Sequence, residues 1–425
     1  MTPEIKSRID QIRRGEVPEG YKRTRKGIIP NGWSIHPIRD FAVISSGSTP
    51  NRGNPAYWNG DIPWVTTGEL EGGYIAKTSE CITTQALSET SLRVYPVGTL
   101  LMAMYGQGKT RGTVAKLGIE AAVNQACAAI LLKSGDADFV FCALQNAYDD
   151  IRKLSNTGNQ ENLNADIIKT FLLIFPPILE QKKISEILIT QDKVIELKEK
   201  RLVEKQRQKK YLMQQLLTGK KRLPGFSGEW KVTRLHNIVK RHTKRNAAGN
   251  TNVLTISAQY GLINQAKFFN KTIASDDKSN YFLLGRGDFA YNKSYSKGYP
   301  FGTIKRLTRY DIGIVSPLYI CFRPKFGNIS DEYLEHYFEA GLMNHEIQAF
   351  AQEGARNHGL LNIEVDDFFN SRLLLPPLEE QTAIAEVLST ADREIDLLRQ
   401  DIEQEKQKKK ALMQLLLTGI VRVTV

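Results

Sequence analysis

Residues 175–223 read FPPILEQKKISEILITQDKVIELKEKRLVEKQRQKKYLMQQLLTGKKRL, and residues 375–423 read LPPLEEQTAIAEVLSTADREIDLLRQDIEQEKQKKKALMQLLLTGIVRV. The second stretch follows the first at an offset of 200 residues without a gap. Pro176/Pro376, Pro177/Pro377, Glu180/Glu380, Gln181/Gln381, Ile184/Ile384 and the block LMQ-x-LLTG all recur. Self-similarity at a fixed offset marks a duplicated architecture. A weaker echo precedes each module, Asn31-Gly32-Trp33 before the first and Gly228-Glu229-Trp230 before the second. Working outward, the chain divides into an N-terminal arm (1–30), a variable block (31–174), a repeated helix (175–223), a second variable block (224–374) and a second repeated helix (375–425).

Each repeated segment opens on a proline pair, which fixes φ and cannot continue a strand, and ends at Thr-Gly, where Gly219 or Gly419 can supply a left-handed cap. Between these stops the apolar residues recur every seven positions. In the first copy they are Leu188, Ile195, Leu202 and Leu216, with Lys209 in register and Ile184, Gln191 and Leu212 on the adjoining seam. In the second they are Leu388, Ile395, Ile402 and Leu416, with Lys409 in register and Ile384, Leu398 and Leu412 beside them. A seven-residue period predicts a coiled-coil seam, and roughly 38 residues at ~1.5 Å each give a rod of about 57 Å. The first copy is rich in Lys and Arg, whereas Glu394, Asp396, Asp401, Glu403 and Glu405 make the second acidic. The two helices are therefore expected to pair with each other, antiparallel because the intervening block returns the chain. Packing of each helix on its own block alone is the alternative.

The variable blocks share little sequence and read as compact, irregular sheet domains. Short apolar runs at 98–104, 126–132, 287–292 and 313–324 are separated by Gly, Asn and Pro. Short helices are expected around 139–153 and 331–353. The expected class is α+β: two mostly-β globular domains joined by two long α-helices, packed as an antiparallel coiled coil in a pseudo-twofold internal repeat.

With 425 residues, 41% hydrophobic and 24% charged, the chain has the composition of an ordinary globular protein with two or three cores. No run of about 18 apolar residues is present and the N-terminus lacks the apolar core of a secretion signal, so a cytoplasmic location is expected. Cys81, Cys127, Cys142 and Cys321 show neither C-x-x-C spacing nor neighbouring histidines, and read as buried thiols. A net charge of +12 biases the partners toward polyanions, nucleic acid first.

Several catalytic motifs fail on inspection. Gly106-Gln107-Gly108-Lys109-Thr110 has the end of a phosphate-binding loop, but the required first glycine falls on Ala103 and the residues that follow are poor helix formers. Asn54-Pro55-Ala56-Tyr57 resembles the N-P-P-Y segment of amino-methyltransferases without its second proline, and no glycine-rich cofactor loop accompanies it. Asp61 and Glu69 lack the E-x-K that a nuclease strand edge would add, and His345-Glu346 lacks the second zinc histidine.

Candidate DNA contacts sit instead in loops. They are Arg52, Tyr105, Gln107, Lys109 and Arg111 in the first block, and Lys240, Arg241, Lys244, Arg245, Lys293, Tyr295, Lys297 and Tyr299 in the second. Cations position a protein on phosphates, while Arg, Asn, Gln and Lys also read base edges.

Two unlike blocks, each closed by PP-x-x-EQ-x-x-I and a helix ending in LMQ-x-LLTG, resemble the specificity subunit of a type I restriction-modification system. Residues 45–70, 123–132, 162–177 and 361–377 add to the resemblance, which spans nearly the whole chain. The resemblance implies two target-recognition domains on an antiparallel helical pair, each reading one half of a split, asymmetric DNA sequence across an unread gap. It places the N-terminal arm beside the C-terminus. It implies methyltransferase subunits docked on the helices, restriction subunits joined through them, and no cofactor on this chain, with S-adenosylmethionine, ATP and magnesium on the partners. The second block departs most from the pattern, lacking a counterpart of Ile62-Pro63-Trp64. The competing reading is a self-contained DNA methyltransferase with its own target-reading domain.

Overall fold

The structure, a computed structural model, describes residues 3–106, 108–154, 162–269, 277–295, 298–353 and 361–424. Two compact units form, one from Met1–Lys198 with Asp401–Val425 and one from Glu199–Gln400. Their division falls inside both repeated helices rather than at the ends of the sequence blocks. Each helix begins in the core of one unit and ends in the core of the other.

In the first unit the block starts and ends on a paired couple of strands, Ser34–Pro37 against Leu172–Phe175. Within it lies a five-stranded sheet in the order Ala42–Ser46, Cys127–Leu132, Leu100–Ala103, Val114–Leu117, Tyr74–Ile75. A smaller sheet is built on Trp58–Val65. The helix Ala137–Asn146 covers the large sheet, and Ile184 and Leu188 from the first long helix join Met413, Leu416 and Leu417 from the second in the same core.

The second unit repeats this plan although the two blocks share little sequence. Lys231–Arg234 pairs with Arg372–Leu375, and a four-stranded sheet runs Val239–Arg241, Ile320–Pro324, Phe289–Asn292, Thr303–Arg306. Asp331–Glu339 takes the place of the covering helix. Here Met213, Leu216 and Leu217 of the first long helix meet Ile384 and Leu388 of the second. The apolar run 313–324, read as one stretch, divides into Ile312–Val315 and Ile320–Pro324 on different sheets, because the turn around Pro317 redirects the chain. The short helices expected around 331–353 are Asp331–Glu339 and Asn344–Phe350.

The long helices span Ile178–Leu216 and Leu378–Leu417. Both end as expected on left-handed glycines, Gly219 at φ 70° and Gly419 at φ 73°. Gly419 has a second reason to lack a side chain, since a Cβ there would lie 2.5 Å from Pro30. Leu188, Ile195, Leu216, Leu388, Ile395, Ile402 and Leu416 are buried, and Leu202, Leu212 and Leu412 are half-buried, so the seven-residue seam faces inward.

Charged pairs across the seam run in opposite order along the two helices, which makes them antiparallel. In the first unit Gln191 donates to Glu405 at 2.6 Å, Lys198 reaches Asp401 and Glu405 at 2.8 Å, and Lys409 reaches Asp192 at 2.6 Å. In the second unit Lys205 meets Glu394 at 2.7 Å and Lys209 meets Asp392 at 2.5 Å. Hydrogen bonds from Lys198 and Gln191 hold the Glu405 carboxyl down to about 2. Of the acidic residues picked out from sequence, Asp396 and Glu403 instead bond along their own helix, to Arg399 and Gln407.

The repeated PP-x-x-EQ motif has a physical explanation. Gln181 donates to the Pro176 carbonyl at 2.8 Å and accepts from the Asp136 amide at 2.9 Å, and Gln381 does the same with Pro376 and Ser330 at 2.8 and 3.0 Å. Each glutamine thus closes the proline turn and anchors the cap of the covering helix. The neighbouring glutamate is buried in a node built from both repeats. Glu180 accepts from the Trp33 indole at 3.2 Å and from Arg422, while Glu380 accepts from Trp230 at 3.2 Å and from Arg222 at 2.6 Å. The arginine after one helix therefore neutralises the glutamate that starts the other.

In the first unit the N-terminal arm closes on the C-terminal end of the chain. Arg8 donates to the Ile420 carbonyl at 3.3 Å, and the Tyr21 hydroxyl to that of Gly419 at 2.8 Å.

Candidate nucleic-acid interface

The candidate contacts come together through sheet register. In the first unit Ala42–Ser46 and Leu100–Ala103 both run antiparallel to Cys127–Leu132, with Ser46 and Met102 both opposite Ala128. Strands antiparallel to a common neighbour run the same way, so the loop carrying Arg52 and the loop carrying Tyr105 and Lys109 leave the sheet at one end. In the second unit Arg241 and Phe289 both lie opposite Phe322. The turn carrying Lys244 and Arg245 and the hairpin carrying Lys293, Tyr295 and Tyr299 therefore leave at the corresponding end. Neither alignment of the block sequences nor residue composition reveals that the two loops of each unit leave its sheet at one end.

The individual side chains differ in what they can offer. Arg52 is held by the Glu80 carboxylate and lies over the Trp58 and Trp64 rings, 4.0 and 5.0 Å from their centres. Its guanidinium is already neutralised. Arg111 is only 6% exposed, which removes it from the surface, because its backbone carbonyl is tied down by Arg152 and the chain turns inward to the strand Val114–Leu117. That strand also disposes of the phosphate-loop reading of 106–110, which needs a helix at this point. Tyr105 and Lys109 remain exposed, and the Lys109 carbonyl accepts from the Tyr148 hydroxyl at 2.6 Å. Gly106, at φ 140°, could take no side chain, since a Cβ would lie 2.9 Å from Thr110. Gln107 lies outside the described residues.

In the second unit Lys240, Arg241 and Lys244 are exposed along the sheet edge. Lys240 is opposite Arg323, whose guanidinium is neutralised by the fully buried Asp288 at 2.5 and 2.8 Å. Arg245 lies 5.0 Å from the centre of the Phe282 ring and donates to the Asn280 carbonyl. Lys293 is half-buried and Tyr295 exposed, while Tyr299 sits half-buried beside Lys305 and Glu339. Lys297 lies outside the described residues. The Arg323–Asp288 pair, which supports this edge, was not singled out from sequence; its partners are 35 residues apart and only the fold joins them.

The rejected motifs are occupied structurally. Asn54 caps the turn Pro55–Tyr57 by accepting from the Ala56 amide at 3.1 Å, and the Tyr57 hydroxyl donates to Glu89 at 2.8 Å. Burial pushes the Cys127, Cys142 and Cys321 thiols up to about 12, and no group of side chains suited to a metal occurs among the described residues. No described helix is long and apolar enough to cross a membrane.

Fold and loops together define a class of protein that carries two domains of one sheet plan on paired long helices, each with surface loops leaving one end of its sheet. The chain belongs to the type I restriction modification DNA specificity family, residues 30–205 and 228–407 each matching its domain, and is a specificity subunit of such a system. It is 31% identical over 186 residues to the MjaIX specificity subunit of Methanocaldococcus jannaschii, a match spanning 42% of each chain. It is 23% identical to the MjaVIII specificity subunit of the same organism over 95% of this chain and 96% of that one. Among solved structures, the S subunit of the M. genitalium type I system shares the fold with a TM-score of 0.53 at 11% identity, over 95% of this chain and 99% of that one. A chain from a structural study of type I system assembly matches at 0.55 and 13%, over 92% and 99%.

Proposed function

We propose that the chain reads a split, asymmetric DNA target, one half with each block, and that the paired helices set the unread gap. The observation carrying this reading is the duplicated sheet register, which sends two basic or aromatic loops from the same end of each block. Affinity comes from phosphates met by the loop cations, and sequence preference from side chains that reach base edges. Two readers on a helical spacer make the gap a mechanical quantity, as in other two-reader proteins. Methyltransferase subunits dock on the repeated helices and restriction subunits join through them. The chain carries no chemistry of its own, S-adenosylmethionine, ATP and magnesium belonging to those partners, and it works in the cytoplasm.

Deleting one heptad from each long helix is expected to change the gap tolerated in a binding-site selection while both half-sites stay the same; an unchanged gap would remove the ruler. Mapping methylated sites in cells carrying the chain and its partners gives the target itself. The rival reading, a self-contained methyltransferase, requires methyl transfer by the purified chain alone. Asn54 is committed to its turn, which favours the partner-dependent reading.

A further inference from the structure

The two blocks carry net charges of opposite sign. Residues 31–174 carry 11 Lys and Arg against 13 Asp and Glu, whereas residues 224–374 carry 19 against 14. At the loop-bearing ends the contrast sharpens. The two loops of the first block hold Arg52, Lys109 and Arg111; the first is bound to Glu80 and the last is buried, which leaves Lys109 on the surface. The corresponding end of the second block presents Lys240, Arg241, Lys244 and Lys293, and no acidic side chain pairs with any of them among the described residues. Asp288, buried beneath this edge, is taken by Arg323.

We infer that the ionic grip on DNA resides in the second block, and that the first binds its half-site mainly through neutral and apolar contacts. This rests on the DNA-reading role proposed above and divides it unequally. Release of condensed counterions makes log K fall with log salt by about 0.9 for each phosphate neutralised. A surface cation already held by a carboxylate adds little to that slope, because the pair is close to neutral as a unit. The second block therefore supplies most of the salt-sensitive, sequence-independent affinity and the first supplies little of it. Electrostatic capture of the duplex accordingly starts at the second block, leaving the first to test sequence afterwards.

The test measures binding of the full chain, alone and with its methyltransferase partner, to a random-sequence duplex between about 50 and 300 mM KCl. The triple variant Lys240→Ala, Arg241→Ala, Lys244→Ala is expected to lower the slope by about 2 to 3, and each single variant by about 1. Lys109→Ala should lower it by about 1 at most, and the charge-neutral pair Arg52→Ala, Glu80→Ala not at all. The charge-preserving pair Lys240→Arg, Lys244→Arg should keep the parental slope. The single variants give independent slopes should the triple fail to fold. Slopes unchanged by the second-block variants, or lowered equally by the Arg52→Ala, Glu80→Ala pair, would overturn the division of labour while leaving DNA binding intact. Absence of any duplex binding by the parent chain would overturn the DNA reading and this inference with it.

Discussion

The two recognition blocks are built on one plan, yet the residue at a matched position can differ in kind. Cys142 in Ala137–Asn146 and His336 in Asp331–Glu339 both stand six residues after the cap of the covering helix, Asp136 in one and Ser330 in the other. Cys142 lies in the field of Lys409 and Asp192, and His336 in that of Lys209 and Asp392. Burial pushes the thiol up to about 12 and pulls the imidazole down to about 4, in the second case helped by Lys209 and only partly opposed by Asp392 at 3.8 Å. The same packing problem is thus solved by a group indifferent to acid in one unit and by an acid-sensitive group in the other. Shared topology constrains the volume to be filled and leaves the chemistry free.

The comparison can be broken most forcefully in the cores. Leu188 and Leu388 are both fully buried at equivalent helix positions, so Leu188→Ala or Leu388→Ala should each cost about 3 kcal/mol in urea unfolding. Hydrogen exchange should show the loss first in the unit that holds the altered residue; equal loss across both units would mean that they unfold as one.

A smaller effect is expected at the glutamate nodes. Arg422→Ala strands the Glu180 carboxylate, which is 3% exposed, at a cost of about 2 kcal/mol. That figure is below the range for a wholly buried pair because the Arg422 side chain is 43% exposed and water screens it. Arg222→Ala should act in the same direction on the other unit. Destabilisation by only one of the two would show that the nodes, alike in geometry, differ in energy.

The mildest prediction sharpens the contrast at the covering helix. The unfolded imidazole titrates near 6.5 and the folded one at about 4, so the unfolded chain takes up the proton first. Stability of the second unit is then intact above about pH 6.5 and falls toward pH 4 by up to about 1.4 kcal/mol per pH unit. His336→Cys, which copies the first unit, should flatten this part of the profile in thermal melts; an unchanged acid slope would assign it to other groups.

Much of the architecture was legible in the residues themselves. The offset of the PP-x-x-EQ and LMQ-x-LLTG blocks located both helices, the seven-residue period identified the seam, and opposite charge on the two copies indicated which surfaces meet. The likeness between the two blocks was not legible, because a sheet of short strands requires only apolar alternation and many sequences supply it. Surface candidates suffered for a related reason. Arg52 and Arg111 look like loop cations, and only the positions of Glu80 and Arg152 show one to be neutralised and the other enclosed.

The chain by itself determined a duplication, two helix boundaries and a heptad seam, since these depend on neighbours a few residues apart or on a repeat that can be counted. Tertiary structure alone decided that each arginine after a helix neutralises the glutamate of the other copy, and that four loops leave matched sheets at matched ends. Burial and strand register arise from residues distant along the chain, and nothing local encodes which distant carboxylate a given cation will find.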